Sequence, residues 1–141
     1  MKLRFDLVEK ITPEMLMESV LANNHRYARV EGIDQVLAEH RLGALVAPTG
    51  GPAWLSDVIQ GDPVAATGVG AGFTSPAAVA GYPHITVPAG LLHGLPVGLS
   101  FVGPAYSEPI LIKLAYAYEQ ASLQRRAPTF PKSISTRLWR A

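Results

Sequence analysis

The sequence predicts an α/β domain, a small mixed sheet with an antiparallel hairpin, covered by helices. Three observations point there. Residues 84–87 are a short apolar run rich in β-branched side chains, and in residues 97–102 Val97, Leu99 and Phe101 alternate with Gly98 and Ser100, so both read as strands. Pro88, Gly90, Gly94 and Pro96 lie between them as turn punctuation, and the pair reads as a hairpin with a long loop. Beyond it, Leu111, Leu114, Tyr118 and Ala121 recur at helical spacing behind Ser107 at an N-cap position and Glu108 in the first turn, a helix placed to pack on the hairpin.

Upstream, residues 1–11 alternate loosely, with Leu3, Phe5 and Leu7 against Lys2, Arg4 and Asp6, as an edge strand would. Thr12, Pro13 and Glu14 make a helix start: a capping hydroxyl, a proline where no N–H is needed, and an acid at the positive helix end. That helix is expected over 13–31, with Leu16, Val20 and Tyr27 on a face interrupted by Asn23 and Asn24, and with Gly32 as its end. Asp34 is the expected cap of a shorter helix through His40.

Residues 44–47 are wholly apolar, the pattern of a strand buried on both faces, and the run stops at Pro48. From 53 to 72, glycines and prolines discourage any long regular element, so the stretch reads as loop. Thr74 or Ser75 ahead of Pro76 predicts a capped short helix over 76–80, ended by Gly81. Residues 123–141, with Arg125, Arg126, Lys132, Arg137 and Arg140, suit an extended exposed tail on which Trp139 can dock.

Composition sets limits. The 141 residues read as a single domain, and 48% hydrophobic with 16% charged residues supplies a core. A mean hydropathy of +0.18 leaves apolar surface to be covered by another chain, by a second copy, or by protein upstream. Twelve basic against eleven acidic side chains, net +1, make no field for nucleic acid or an anionic membrane. Without cysteine there is no disulfide scaffold, thiolate nucleophile or Cys-ligated zinc, which fits a cytoplasmic protein. The N-terminal stretch has no apolar signal core and no run approaches membrane-spanning length, so the expected location is the cytoplasm.

The strings AVAGYPHITVPAG, GLPVGLSFVGP and SEP followed by LAYAYEQA occur in an order and spacing that resemble the closing segment of the amidase signature family. The upstream ALVAPTGGPAW resembles the strand and loop that precede that segment. Members are serine hydrolases that cleave amide C–N bonds, so the resemblance implies part of the larger amidase signature fold, a small amide substrate and no cofactor. It also implies a Ser-Ser-Lys apparatus, with a serine nucleophile, a second serine on a cis peptide and a lysine base, held in a Gly/Ser-rich loop and further upstream. Here TGG at 49–51 and GVGAG at 68–72 lack those serines, and Lys2, Lys10, Lys113 and Lys132 do not match the base. No catalytic residue is carried across, and the chain alone is expected to hydrolyse nothing.

Other candidates are weighed on their chemistry. Ser75 is better explained as a helix cap than as a nucleophile, and no G-x-S-x-G elbow is present. His25, His40, His84 and His93 have no spacing that would place two ligands on one helix face, so no metal is implied. In GVGAG, Phe73 stands where a third glycine of a phosphate loop belongs. Tyr116 and Tyr118 lie two apart on a helix and serve the core or an interface.

The resemblance implies Phe73, Thr74 and His84 as substrate-binding residues on the acyl side. His84 is also read as an ordinary structural histidine. Members that hydrolyse glutamine place an acid shortly before the Phe-Thr pair, and Gly70, Ala71 and Gly72 stand there instead. That argues against part of a glutamine-dependent tRNA amidotransferase and for a general amidase. Two functions stay open: the C-terminal portion of an amidase whose N-terminal catalytic part is missing, or a free-standing non-catalytic domain for oligomerisation or ligand binding.

Overall fold

The structure, a computed structural model, describes residues 12–51, 59 and 72–127. The edge strand expected over 1–11, nearly all of the loop expected over 53–72 and the tail beyond 127 lie outside the described residues.

Helix α1 (Pro13–His25) starts as expected, with the Met15 N–H donating to Thr12 Oγ1 at 3.3 Å and Pro13 in the first turn. It buries no side chain. Met15, Leu16, Met17, Val20 and Leu21 are all more than half exposed. The chain then widens into a π-helical stretch (Arg26–Ile33) that kinks at Gly32, so the single helix expected over 13–31 is two elements. Helix α2 (Asp34–His40) follows, and Asp34 does not cap it. The Asp34 N–H already donates to the Arg29 carbonyl, so the helix start is bonded to the preceding turn and the carboxylate is left for another partner.

Strands β1 (Leu45–Pro48), β2 (His84–Leu92) and β3 (Leu95–Val102) form one sheet in the order β1-β3-β2. Both pairings are antiparallel, so among the described residues the sheet is antiparallel throughout instead of mixed. The hairpin is present, but its connection is a two-residue turn, not a long loop. His93 and Gly94 have φ of 51° and 80°, the left-handed pair that matches strand twist, while Ala89 is the extra residue of a bulge between Pro88 and Gly90. Pro88 falls in β2, an edge strand that can spare an N–H, and Pro96 in the part of β3 beyond its pairing with β1, where one side of the strand is likewise unpaired.

Helix α3 (Thr74–Ala80) begins before the expected 76, and neither Thr74 nor Ser75 caps it. Its end is as expected: Gly81 adopts the left-handed conformation and the Tyr82 N–H reaches the Ala77 carbonyl at 3.0 Å. Helix α4 (Glu108–Ser122) starts at the expected place. Ser107 has φ −92° and ψ 11°, outside the extended geometry of a capping residue, and its hydroxyl donates to the Pro104 carbonyl at 2.7 Å.

Register sorts the sheet into two faces, because side chains alternate along each strand. One face carries His84, Thr86, Ser100, Val102, Leu45 and Ala47, and there Val102 packs with Ile33, Leu37, Ala77 and Ala80 under the π-helical stretch, α2 and α3. The other carries Ile85, Val87, Leu99 and Phe101, which pack with Leu111, Ala115 and Tyr118 of α4. Phe101 meets Tyr118 edge to face at 6.2 Å. The expected inner face of α4 is partly corrected: Leu111 and Tyr118 turn inward with Ala115, whereas Leu114 and Ala121 are exposed. Nor is β1 buried on both faces. Val46 is 57% exposed, because α4 lies over β2 and β3 and does not extend across the β1 edge.

Candidate functional site

On the face covered by the π-helical stretch, α2 and α3, three hydroxyls converge. Ser100 sits in the central strand β3 and is fully buried; Thr86 faces it from β2; Thr49 follows β1, where its N–H donates to the Gly98 carbonyl at 2.8 Å. Ser100 Oγ donates to Thr49 Oγ1 at 2.7 Å, Thr49 Oγ1 donates to Thr86 Oγ1 at 3.5 Å, and Thr86 and Ser100 share a bond of 3.2 Å. Gly98 makes this meeting possible. A Cβ there would stand 2.7 Å from both Thr49 Oγ1 and Thr86 Cγ2, closer than any side chain sits.

Gly72 brings the next element in. Its Cα lies so near the Thr49 carbonyl that a Cβ would stand 1.7 Å from the oxygen, so the backbone leading into Phe73 and Thr74 runs against residues 49–50. Phe73 packs on the cluster built around Val102, and Thr74 opens α3; both are half-buried. His84 begins β2 on the same sheet face as Thr86, and its Nε2 is buried with no hydrogen-bond partner. Phe73, Thr74 and His84 therefore lie on one side of the sheet, with the hydroxyl ring beside them. Thr49, Thr86 and Ser100 were not singled out from the sequence, since they come from positions up to 51 residues apart and only the polar place of Ser100 in the β3 alternation hinted at a site.

Where β2 begins and β3 finishes there is a cleft of about 360 Å³ lined by Arg29, Gly81, Tyr82, Pro83, Ala105, Tyr106 and Glu108. Its wall is stapled together. Arg29 Nε donates to the Ala80 carbonyl at 2.6 Å, its guanidinium lies 5.5 Å from the centre of the Tyr82 ring, and the Tyr82 hydroxyl donates to Asp34 Oδ2 at 2.7 Å. Burial first, and then the bond to Asp34 and its negative charge, push the Tyr82 phenol above its ordinary value, while Arg29 acts in the opposite sense.

Among the described residues, no base is hydrogen-bonded to these hydroxyls, which bond only to one another. Lys113, the one lysine among the described residues, is exposed on α4, across the sheet. The described residues also contain no group of three His, Asp or Glu side chains placed to hold a metal ion, and no helix long and apolar enough to cross a membrane. Among the described residues, the site is a helix-flanked antiparallel sheet of an α/β domain that presents a wall of hydroxyls on one face.

The amidase family matches residues 1–112, and the chain belongs to that family. A solved structure of the native peptide amidase from Stenotrophomonas maltophilia is 49% identical and superposes with a TM-score of 0.69 over 84% of this chain and 22% of that one. A probable amidase of Arabidopsis thaliana is 37% identical over 70% of this chain and 15% of its own length. A solved structure of an amidase family protein from Bacillus anthracis is 33% identical, with a TM-score of 0.61 over 86% of this chain and 20% of that one. The chain thus spans less than a quarter of each of these relatives.

Proposed function

We propose that this chain is the C-terminal part of an amidase signature serine hydrolase, cleaving the C–N bond of a small amide in the cytoplasm only when joined to an upstream part. That part supplies the Ser-Ser-Lys apparatus, and this one supplies sheet, helix cover and one pocket wall. Phe73, Thr74 and His84 line the acyl side of the pocket, and the tail over 123–141 is extended. The supporting observation is that most of this chain fits less than a quarter of a peptide amidase. The apolar exposure of α1 agrees with it, because a helix with no buried face has lost the surface it packs on. The missing acid near Phe73 favours a general amidase over a glutamine-dependent enzyme.

Sequencing the coding DNA directly upstream of the Met1 codon tests this reading. The expected result is an open frame that runs back through a Gly/Ser-rich loop and a lysine. A stop codon and ribosome-binding site next to Met1 would overturn it, and would favour a free-standing, non-catalytic domain.

A further inference from the structure

We propose that Thr49 and Thr86, held in place by Ser100, accept hydrogen bonds from an N–H on the acyl part of the substrate, and so select peptidyl-type amides over purely hydrocarbon ones. This rests on the pocket reading above. Three hydroxyls carry three protons, and the three contacts close a triangle in which Ser100 donates to Thr49 and Thr49 to Thr86. Because the one proton of Ser100 is thereby committed, the third bond, in which either oxygen could donate, runs from Thr86 to Ser100. Each proton is spent inside the ring. Each oxygen keeps a second lone pair, so the ring can offer acceptors without offering a donor.

Burial decides which of them a ligand can reach. Ser100 is fully buried beneath the other two, Thr49 is half-buried and Thr86 is exposed, so the accessible lone pairs belong to the threonines. Turning the Thr86 hydroxyl outward as a donor would break its bond to Ser100, whose proton already goes to Thr49. A carbonyl or carboxylate therefore meets an unmatched acceptor here, and an amide N–H finds a partner. Gly72 sets Phe73 and Thr74 beside this ring, which places the acceptors on the same wall as the proposed acyl-side residues.

N-acetylglycinamide and levulinamide differ only in an N–H exchanged for a methylene, and they make the test. With the complete enzyme, kcat/KM is expected to favour N-acetylglycinamide, and Thr86→Val or Thr49→Val to reduce that preference about threefold to tenfold. Thr86→Ser, which keeps the hydroxyl, is expected to retain it. No preference in the unaltered enzyme, or an equal loss on both amides in the valine variants, would overturn the proposal. Should the upstream frame be absent, the same two compounds titrated into this chain give an independent reading through the Thr86 amide resonance. A shift with N-acetylglycinamide alone supports the proposal, and equal or absent responses overturn it.

Discussion

The Tyr82 hydroxyl donates to Asp34 Oδ2 at 2.7 Å, tying the first residue of α2 to the turn that enters β2 across 48 positions of sequence. Tyr82→Phe removes the donor and leaves a partly buried carboxylate short of a partner, so urea unfolding should show a loss of about 1–3 kcal/mol. Asp34→Ala should cost a similar amount, and the double variant should cost less than the two losses added together.

The same pair sets a response to alkali. The folded-state value of Tyr82 is raised above its ordinary 10.0, so the unfolded chain loses this proton first. Its contribution is fully present below the unfolded value and is lost as pH rises through the folded one. Stability measured across the alkaline range should fall more steeply in the unaltered protein than in Tyr82→Phe, and phenolate absorbance should show one tyrosine titrating late. Parallel pH curves for the two proteins would contradict this.

Leu111 holds α4 to the sheet and is only 2% exposed, whereas Leu114, one turn on, is 38% exposed. Leu111→Ala should cost about 2–5 kcal/mol by denaturant titration, through lost burial and the cavity left behind. Leu114→Ala should stay within about 1 kcal/mol.

Gly98→Ala places a methyl 2.7 Å from Thr49 Oγ1 and Thr86 Cγ2. A cost of about 1–3 kcal/mol is expected, with displaced Thr49 and Thr86 resonances. Gly94→Asn is the contrast: it also changes a glycine of this hairpin, but nothing lies within 4 Å and asparagine accepts the left-handed turn, so stability should barely change.

The exposed apolar side chains of α1, with both outer edges of the sheet unpaired among the described residues, should drive self-association of the isolated chain. Light scattering should give a mass above the 15.1 kDa of one copy, and Leu16→Glu with Val20→Glu should lower it. A monomer at high concentration would count against the reading of these faces as interfaces. The isolated chain should also show no amide turnover above buffer, and turnover that persists in Ser75→Ala would place chemistry where neither nucleophile nor base has been found.

Much of the fold was legible because its signals are local. Helix starts at Pro13 and near Glu108, the stop at Gly81 and the alternation of β3 depend on a few neighbouring residues whose backbone preferences and periodicity act within one or two turns. Cap chemistry was legible only at Thr12. Asp34, Ser75 and Ser107 are the right residue types, but Asp34 and Ser107 bond elsewhere and Ser75 lies inside a helix that starts one residue earlier. The connection between β2 and β3 reads as a long loop in the sequence because prolines and glycines signal an interruption without distinguishing a loop from the bulge and tight turn that form.

By itself, the sequence determined membership of the amidase family and the α/β order of elements, since both are written in residue types and short spacings. Only the tertiary structure decided that the described sheet is antiparallel throughout, that β1 lies at its edge, and that Thr49, Thr86 and Ser100 close a ring over a glycine. Those outcomes depend on strand register and on close approach between segments far apart in the chain. A shift of one residue in register would turn Thr86 or Ser100 to the opposite face and abolish the ring.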